Sequence, residues 1–370
     1  MSDEVRFGVV GGYGATGRAV VCELLQSGDG EIRIGGRDLA KGKALATEFG
    51  ARVMAAQVDV LNAQSLDDFC GGCSIVVNCA GPVSGLRDRV AQAAFRRRCH
   101  YLDVAGLMFV KEGMAPHARE IERLGLRFVI SAGWLPGLSE LLPVYANALA
   151  RTRMESIESL TIYFGDSGEW SESAYRDMAW FVRNTGLRSP FCFRKGVRAK
   201  AKMSQASIKV DLGGRIGLQR FSLYSIPEMD EAAMSMKHCD VFTYSYVPSA
   251  RAALAVSLFA LLPLSEQQGV RLLRWGLQEV PLQVGGVVAA RVLGKSEGRK
   301  LALTAEIVYE KHRDYWVNAL VAATVARMIA DGNGVKAGVN NLADAVDPAS
   351  FLAELRNKGL EQTEKFEPAN

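Results

Sequence analysis

A glycine-rich turn near the start of the chain constrains the fold more than any other feature. Residues 5–10 form an apolar run of strand type, Gly12-Tyr13-Gly14-Ala15-Thr16-Gly17 has the spacing G-x-G-x-x-G, and the next segment places Val20, Leu24 and Leu25 on one helical side. The spacing alone is a weak signal, and the strand before it and the helix behind it give it meaning. Gly12 permits the tight turn, Gly14 lets the backbone approach a pyrophosphate, and Gly17 lets the helix pack on the strand. The helix N-terminus then offers free amides and partial positive charge to phosphates. Gly12, Tyr13, Gly14, Ala15, Thr16 and Gly17 are therefore the predicted phosphate-binding turn of a dinucleotide site.

The stretch that follows repeats the strand-then-helix rhythm. Residues 31–34, 52–58, 74–78, 101–104 and 127–131 are strand-like, with helical segments at 39–49, 63–69, 86–97 and 116–124 between them. Six strands alternating with helices predict a doubly wound parallel sheet of Rossmann type, covered on both faces. The rhythm changes near Gly133. A helix at 139–150 precedes longer strands at 157–164, 206–211 and 218–225. Residues 287–293 and 301–309 form a hairpin around a turn rich in Gly and charge. Helices at 254–261 and 266–278 accompany them, two more follow at 314–329 and 349–357, and the polar tail beyond Leu360 is expected to fray. The fold class is thus α/β with a second α+β domain holding a mixed or antiparallel sheet. The expected division is residues 1–135 for the dinucleotide, 136–312 for substrate or oligomerisation, and 313–370 as C-terminal helices packing on the first domain.

A chain of 370 residues suits two or three domains, at ~150 residues each. Its 49% hydrophobic and 23% charged residues exclude a disordered, collagen-like or coiled-coil chain. The formal charge of +4 shows no basic stripe beyond Arg96, Arg97 and Arg98, so no nucleic-acid partner is expected. The longest apolar run, 252–264, is interrupted near its end by Pro263. It falls short of the ~20 residues of a membrane span, and a core helix is the expected reading, with association to a membrane surface as the weaker one. The acidic N-terminus is not of signal-peptide type, so a cytoplasmic location and reduced cysteines are expected.

The second strand ends in Gly35-Gly36-Arg37. An NAD site has a carboxylate here for the ribose 2′-hydroxyl, whereas the Arg37 guanidinium would pair with the 2′-phosphate of NADP; the alternative is that Arg37 is a solvated loop residue. Gly35 and Gly36 are expected to leave it room, and Asp38 to cap the next helix. At the fourth strand tip, Asn78 is placed to bond a ribose, and the small residues Ala80 and Gly81 let the backbone approach the nicotinamide half. The alternative is a tight strand-to-helix turn.

These residues carry a family resemblance. The turn at 11–17, Gly35-Gly36-Arg37, residues 76–82 (VVNCAGP), residues 100–106 (HYLDVAG) and residues 132–138 (AGWLPGL) resemble the saccharopine dehydrogenase-like NADP-linked oxidoreductases, as do Gly338-Val339 and Asp347-Pro348 near the end. The resemblance is strong over residues 1–140, loose over 141–310 and moderate over 311–360. It implies a Rossmann domain, an inserted mixed-sheet domain and a nicotinamide cofactor, in a family that includes reductases of C=N bonds. Many members carry Glu after the glycine that closes the Tyr-x-Asp stretch, where this chain has Leu107.

Candidates for proton transfer are Asp103, at the fifth strand tip, and His100, which opens that strand; the alternatives are that Asp103 ties down the loop after the strand and that His100 is structural or solvated. Trp134 and Pro136 either line the substrate pocket or form a buried domain junction. Arg176, Arg183, Arg188, Arg194 and Arg198 either recognise an acidic group or form a solvated face. Cys70 and Cys73 form a C-x-x-C with no second pair to complete a zinc site, so no metal is expected. The predicted function is NADP-dependent reduction of an imine or related double bond in a small or medium metabolite, with a catalytically silent NADP-binding scaffold or sensor as the alternative. The 287–309 hairpin either builds a sheet-mediated homodimer or is covered within the chain.

Overall fold

The computed structural model describes residues 5–167, 170–184, 190–278 and 282–369. Arg188 lies outside them. The chain divides into two compact units, Met1–Leu138 with Tyr315–Lys358, and Ser139–Asp314 with Gly359–Asn370.

The first unit opens with strands β1 (Arg6–Val10), β2 (Glu31–Gly36), β3 (Val53–Gln57), β4 (Ile75–Asn78), β5 (His100–Asp103) and β6 (Arg127–Ile130). The second contains β7 (Ser156–Asp166), β8 (Phe191–Arg194), β9 (Val197–Lys200), β10 (Ser207–Asp211), β11 (Leu218–Leu223), β12 (Asp240–Tyr246), β13 (Gly286–Ser296) and β14 (Arg299–Tyr309). The chain then supplies β15 (Gly338–Asn341) to the first sheet and β16 (Glu361–Pro368) to the second.

The first sheet is parallel throughout, in the order β15-β6-β5-β4-β1-β2-β3. This is the doubly wound order, extended by one strand beyond the six expected. Phe7, Val9 and Val10 of β1 and Ile75, Val76 and Val77 of β4 are buried, because helices cover both faces. The order reverses between β1 and β4, and ligands of such sheets bind at the carboxyl ends of the strands at that point. The helix Ala15–Gln26 is secured at its far end by two arginines. Arg52 donates to the carbonyls of Gly28 and Leu25, each at 2.8 Å, and Arg327 donates to those of Leu24, Gly28 and Asp29. Positive charge there also complements the helix dipole.

The second sheet is mixed, in the order β10-β11-β12-β7-β13-β14-β16, with β8 and β9 attached at β12. Only β12 and β7 run parallel. Tyr163, Phe221, Tyr244 and Tyr246 gather into one apolar cluster with Val287 and Ala289. The helices Glu172–Asn184, Ala250–Leu261 and Glu266–Gly276 pack together around Phe259 and Leu273. The 252–264 run is thus largely a helix of this cluster, although Leu254 and Leu261 remain exposed. No helix among the described residues is long and apolar enough to cross a membrane.

The structure bears on three of these expectations. The helix Glu172–Asn184 takes up Arg176 and Arg183 of the arginine-bearing stretch, and Arg176 pairs with Glu266. The 287–309 hairpin offers no edge for a dimer, because β13 lies between β7 and β14, and β14 between β13 and β16. The tail beyond Leu360 neither frays nor joins the first unit: β16 pairs antiparallel with β14 over eight residue pairs, Leu301↔Pro368 to Val308↔Glu361. Its pairing is made by backbone, and its charged side chains blunt the outer edge of the sheet.

Truncation after Leu360 should therefore cost about 2 kcal/mol or more, since each lost backbone hydrogen bond is worth ~0.5–1.5 kcal/mol. Urea unfolding of the truncated chain measures it. A midpoint equal to that of the full chain would mean that β16 contributes nothing.

Candidate cofactor-binding site

The glycine turn is built by close approach. Gly11 takes φ +77°, and the N–H groups of Gly11 and Gly12 both donate to the Gly35 carbonyl, at 2.8 and 3.2 Å. A Cβ on Gly12 would lie 2.7 Å from the Ile34 Cβ, and one on Gly17 would lie 2.2 Å from the Gly11 carbonyl oxygen. Gly14 is different. A Cβ there would meet only the Gly11 oxygen of its own turn, at 3.2 Å, with open space beyond. Gly14 is also the N-cap of the helix Ala15–Gln26, and no side chain caps that end. The donors of the first turn and the dipole therefore face an open, side-chain-free surface flanked by exposed Ala15 and half-buried Thr16, which fits a pyrophosphate.

At the β2 tip the glycines do not make room for a phosphate, as the sequence suggested. A Cβ on Gly35 would strike the Phe69 ring at 2.5 Å, and one on Gly36 would strike the Tyr13 ring at 2.2 Å. Tyr13 lies across Gly36, and its hydroxyl accepts from the Asp38 N–H at 2.9 Å. Asp38 caps the helix Leu39–Phe49 by accepting from the Lys41 N–H at 3.1 Å. Arg37 stands exposed between them. Its carbonyl accepts from Gln57 Nε2 at 3.1 Å, and no group among the described residues binds its guanidinium.

The β4 tip lies against the glycine turn, for a Cβ on Gly11 would be 3.0 Å from the Ala80 nitrogen and the Cys79 carbonyl carbon. Asn78 is buried, and its side chain turns inward. Its Oδ1 accepts from the Ala80 N–H at 3.1 Å and its Nδ2 donates to the Tyr101 hydroxyl at 3.3 Å. Asn78 thus shapes the loop through Ala80 and Gly81 by this internal bonding. Gly81 is exposed beside the turn.

The two candidates for proton transfer fare differently. Asp103 is only 1% exposed. Its Oδ1 accepts from the Ser131 N–H at 2.9 Å and from the Gly106 N–H, and its backbone carbonyl accepts from the Ala132 N–H at 2.7 Å. Ser131 and Leu107 both take positive φ, and the Leu107 N–H donates to the Ser131 Oγ at 3.1 Å. One carboxylate thus locks the loops after β5 and β6 together. Burial pushes its pKa up to about 6, against the backbone donors that favour the charge. His100 sits at the opposite end of its strand, three residues from Asp103, or ~10 Å away at ~3.3 Å per residue. Its Nδ1 accepts from the Arg127 N–H at 3.0 Å, and burial, then Arg127, lower its pKa to about 4. His100 is therefore a neutral fastener between strands, not a proton donor at the strand tips.

Trp134 and Pro136 are buried, and the Trp134 N–H donates to Asn318 Oδ1 at 2.9 Å. Cys70, Cys73 and Cys99 are buried together as free thiols, all raised in pKa chiefly by burial. Cys73 fills the space above Gly8, whose Cβ would lie 2.9 Å from its sulfur. Among the described residues no group of three His, Cys, Asp or Glu gathers as a metal site. Sequence reasoning missed Tyr13 as the cover of Gly36, Gln57 as the partner of Arg37, and Ser131 as the partner of Asp103.

The sequence model of the saccharopine dehydrogenase NADP-binding domain matches residues 7–129. Among solved structures, apo saccharopine dehydrogenase (L-Glu forming) from Saccharomyces cerevisiae is similar at 13% identity and TM-score 0.71, covering 98% of this chain and 100% of the yeast chain. A probable dehydrogenase from Thermotoga maritima is similar at 9% identity and TM-score 0.49, covering 97% and 98%. No curated protein matches the sequence.

The Asp103 lock sets a pH dependence. Its folded pKa of about 6 exceeds the ~3.9 of an unfolded chain, so the native state binds the proton more tightly. Its contribution to stability is full below about pH 4 and is lost as the pH rises through 6, by at most ~3 kcal/mol. Asp103→Asn should remove this component. Urea unfolding of both proteins from pH 4 to 7 should show wild type losing stability relative to the variant, and parallel curves would mean that the carboxylate titrates normally.

Proposed function

We propose that this chain, which belongs to the saccharopine dehydrogenase-like family, is an oxidoreductase that prefers NADPH and reduces a C=N or related double bond of a small or medium metabolite. One observation carries the cofactor preference. An exposed, unengaged guanidinium stands at the β2 tip, where NAD sites hold a carboxylate, beside an open helix N-terminus. Arg37 would take the 2′-phosphate through paired hydrogen bonds, and Gly12 to Gly17 the pyrophosphate. The cofactor supplies a hydride when bound. Ala80 and Gly81 keep its nicotinamide half free of side chains, and Asp103 and Asn78 act as positioning residues that hold the surrounding loops. The imine reading draws on the family resemblance and on the L-Glu-forming activity named for the yeast protein of like fold.

A silent NADP-binding protein is the second reading. It is favoured by the inward commitment of both proposed proton donors and by Leu107 at the family's Glu position. NADPH oxidation with a panel of paired amines and 2-oxo acids separates the two. Turnover that needs both partners supports the reductase, and tight NADPH binding with no turnover across the panel supports the silent protein.

For the cofactor, NADPH should bind at least about tenfold more tightly than NADH. Arg37→Ala should weaken NADPH about tenfold to a hundredfold, the worth of a charge-assisted pair at ~1.5–3 kcal/mol, and leave NADH unchanged. Equal affinity of the wild type for both cofactors, measured by calorimetry, would overturn the preference.

A further inference from the structure

The first unit fixes the backbone of Arg37 from both sides while leaving its side chain open. The preceding residue, Gly36, is covered by the Tyr13 ring. The following N–H, of Asp38, is held by the Tyr13 hydroxyl at 2.9 Å, and the Arg37 carbonyl is held by Gln57 Nε2 at 3.1 Å. The seat of the ring is itself purpose-shaped. Gly42 lies inside the helix Leu39–Phe49, where glycine is disfavoured. A Cβ there would crowd Ala55 at 3.2 Å and touch the Tyr13 ring at 3.9 Å. Tyr13 comes from the phosphate-binding turn, so one residue links the pyrophosphate end of the site to the ribose end.

We propose that Tyr13 and Gln57 are positioning residues for cofactor choice: they hold the Arg37 backbone so that its guanidinium is presented to a 2′-phosphate, without themselves recognising that phosphate. A long arginine on a mobile loop loses more freedom when it grips an anion than one whose backbone is already fixed. The fastening should therefore favour the cofactor that carries the extra phosphate and leave its counterpart alone. This inference rests on the reading that Arg37 takes the 2′-phosphate.

The test is calorimetric titration of NADPH and NADH into wild type, Tyr13→Phe, Gln57→Ala, Arg37→Ala and the Tyr13→Phe/Arg37→Ala double variant. Tyr13→Phe removes one hydroxyl and keeps the ring over Gly36. It should weaken NADPH about threefold to tenfold, the worth of one hydrogen bond, with NADH unchanged. Gln57→Ala should act in the same direction. In the Arg37→Ala background, Tyr13→Phe should have no further effect on the NADPH to NADH ratio, because the two act through one guanidinium. Gly36→Ala, whose Cβ would displace the ring, should reproduce the loss of preference. An equal weakening of both cofactors by Tyr13→Phe would overturn the proposal, since the hydroxyl would then act on the part they share. So would an unchanged ratio in Tyr13→Phe and Gln57→Ala while Arg37→Ala abolishes the preference. An unchanged ratio in Arg37→Ala would instead remove the underlying reading.

Discussion

The first unit depends on a place where three backbones meet with no side chain between them. Gly11 and Gly12 bond the Gly35 carbonyl, Gly17 packs on the Gly11 carbonyl, and Gly11 touches Cys79 and Ala80. A Cβ at Gly17 would strike the Gly11 carbonyl oxygen at 2.2 Å, and one at Gly12 would strike the Ile34 Cβ at 2.7 Å, so the turn closes only on glycines. That contact puts the uncapped helix end at the point where strand order reverses, which is where a parallel sheet offers a ligand its only unfilled edge. Arg52 and Arg327 hold the other end of the helix, so its direction is set at both termini.

This part of the molecule was legible in the sequence because its cause is local. The spacing of the glycines, the strand before them and the helix behind them lie within about twenty residues, and steric exclusion leaves one arrangement. The strands at 338–341 and 361–368 were not legible for the opposite reason. GVNN and EQTEKFEP carry no strand-like alternation of their own and become strands by pairing with β6 and β14, which lie far away in the chain. Gly35 and Gly36 show a subtler limit. A glycine signals that a Cβ does not fit, but not what occupies the space. Sequence reasoning left the space to a phosphate, and the structure fills it with Phe69 and Tyr13.

The polar residues of the strand tips follow the same logic. Asn78, His100 and Asp103 have side chains suited to ligand contact or proton transfer, and their residue types and places on the strands made them candidates. What decides their role is the set of backbone groups left without partners where loops leave the sheet. Ala80, Gly106, Ser131 and Arg127 each present an N–H that one of these side chains accepts. A buried N–H left unpaired costs ~1–3 kcal/mol, so the loops claim these side chains before a ligand can. His100 was separable even from sequence, for it begins the strand that Asp103 ends.

The arginines of the first unit make the contrast that gives Arg37 its meaning. Arg33 bonds the carbonyls of Phe69 and Gly71, Arg127 that of Val335, and Arg96 forms a forked pair with Asp67. In each case a guanidinium ties one segment to another, which suits its fixed fan of donors. Arg37 has the same donors, and its side chain ties nothing, as is also true of exposed Arg97, Arg98 and Arg119; what sets it apart is its place at the β2 tip, beside the glycine turn. On the proposed reading, a guanidinium at this place is presented to a partner outside the chain. Beside an open helix N-terminus, the partner chemistry that satisfies both features is a phosphate on a ribose already anchored by its pyrophosphate. The small formal charge of +4 hides this, because the arginines that make it up serve two different purposes.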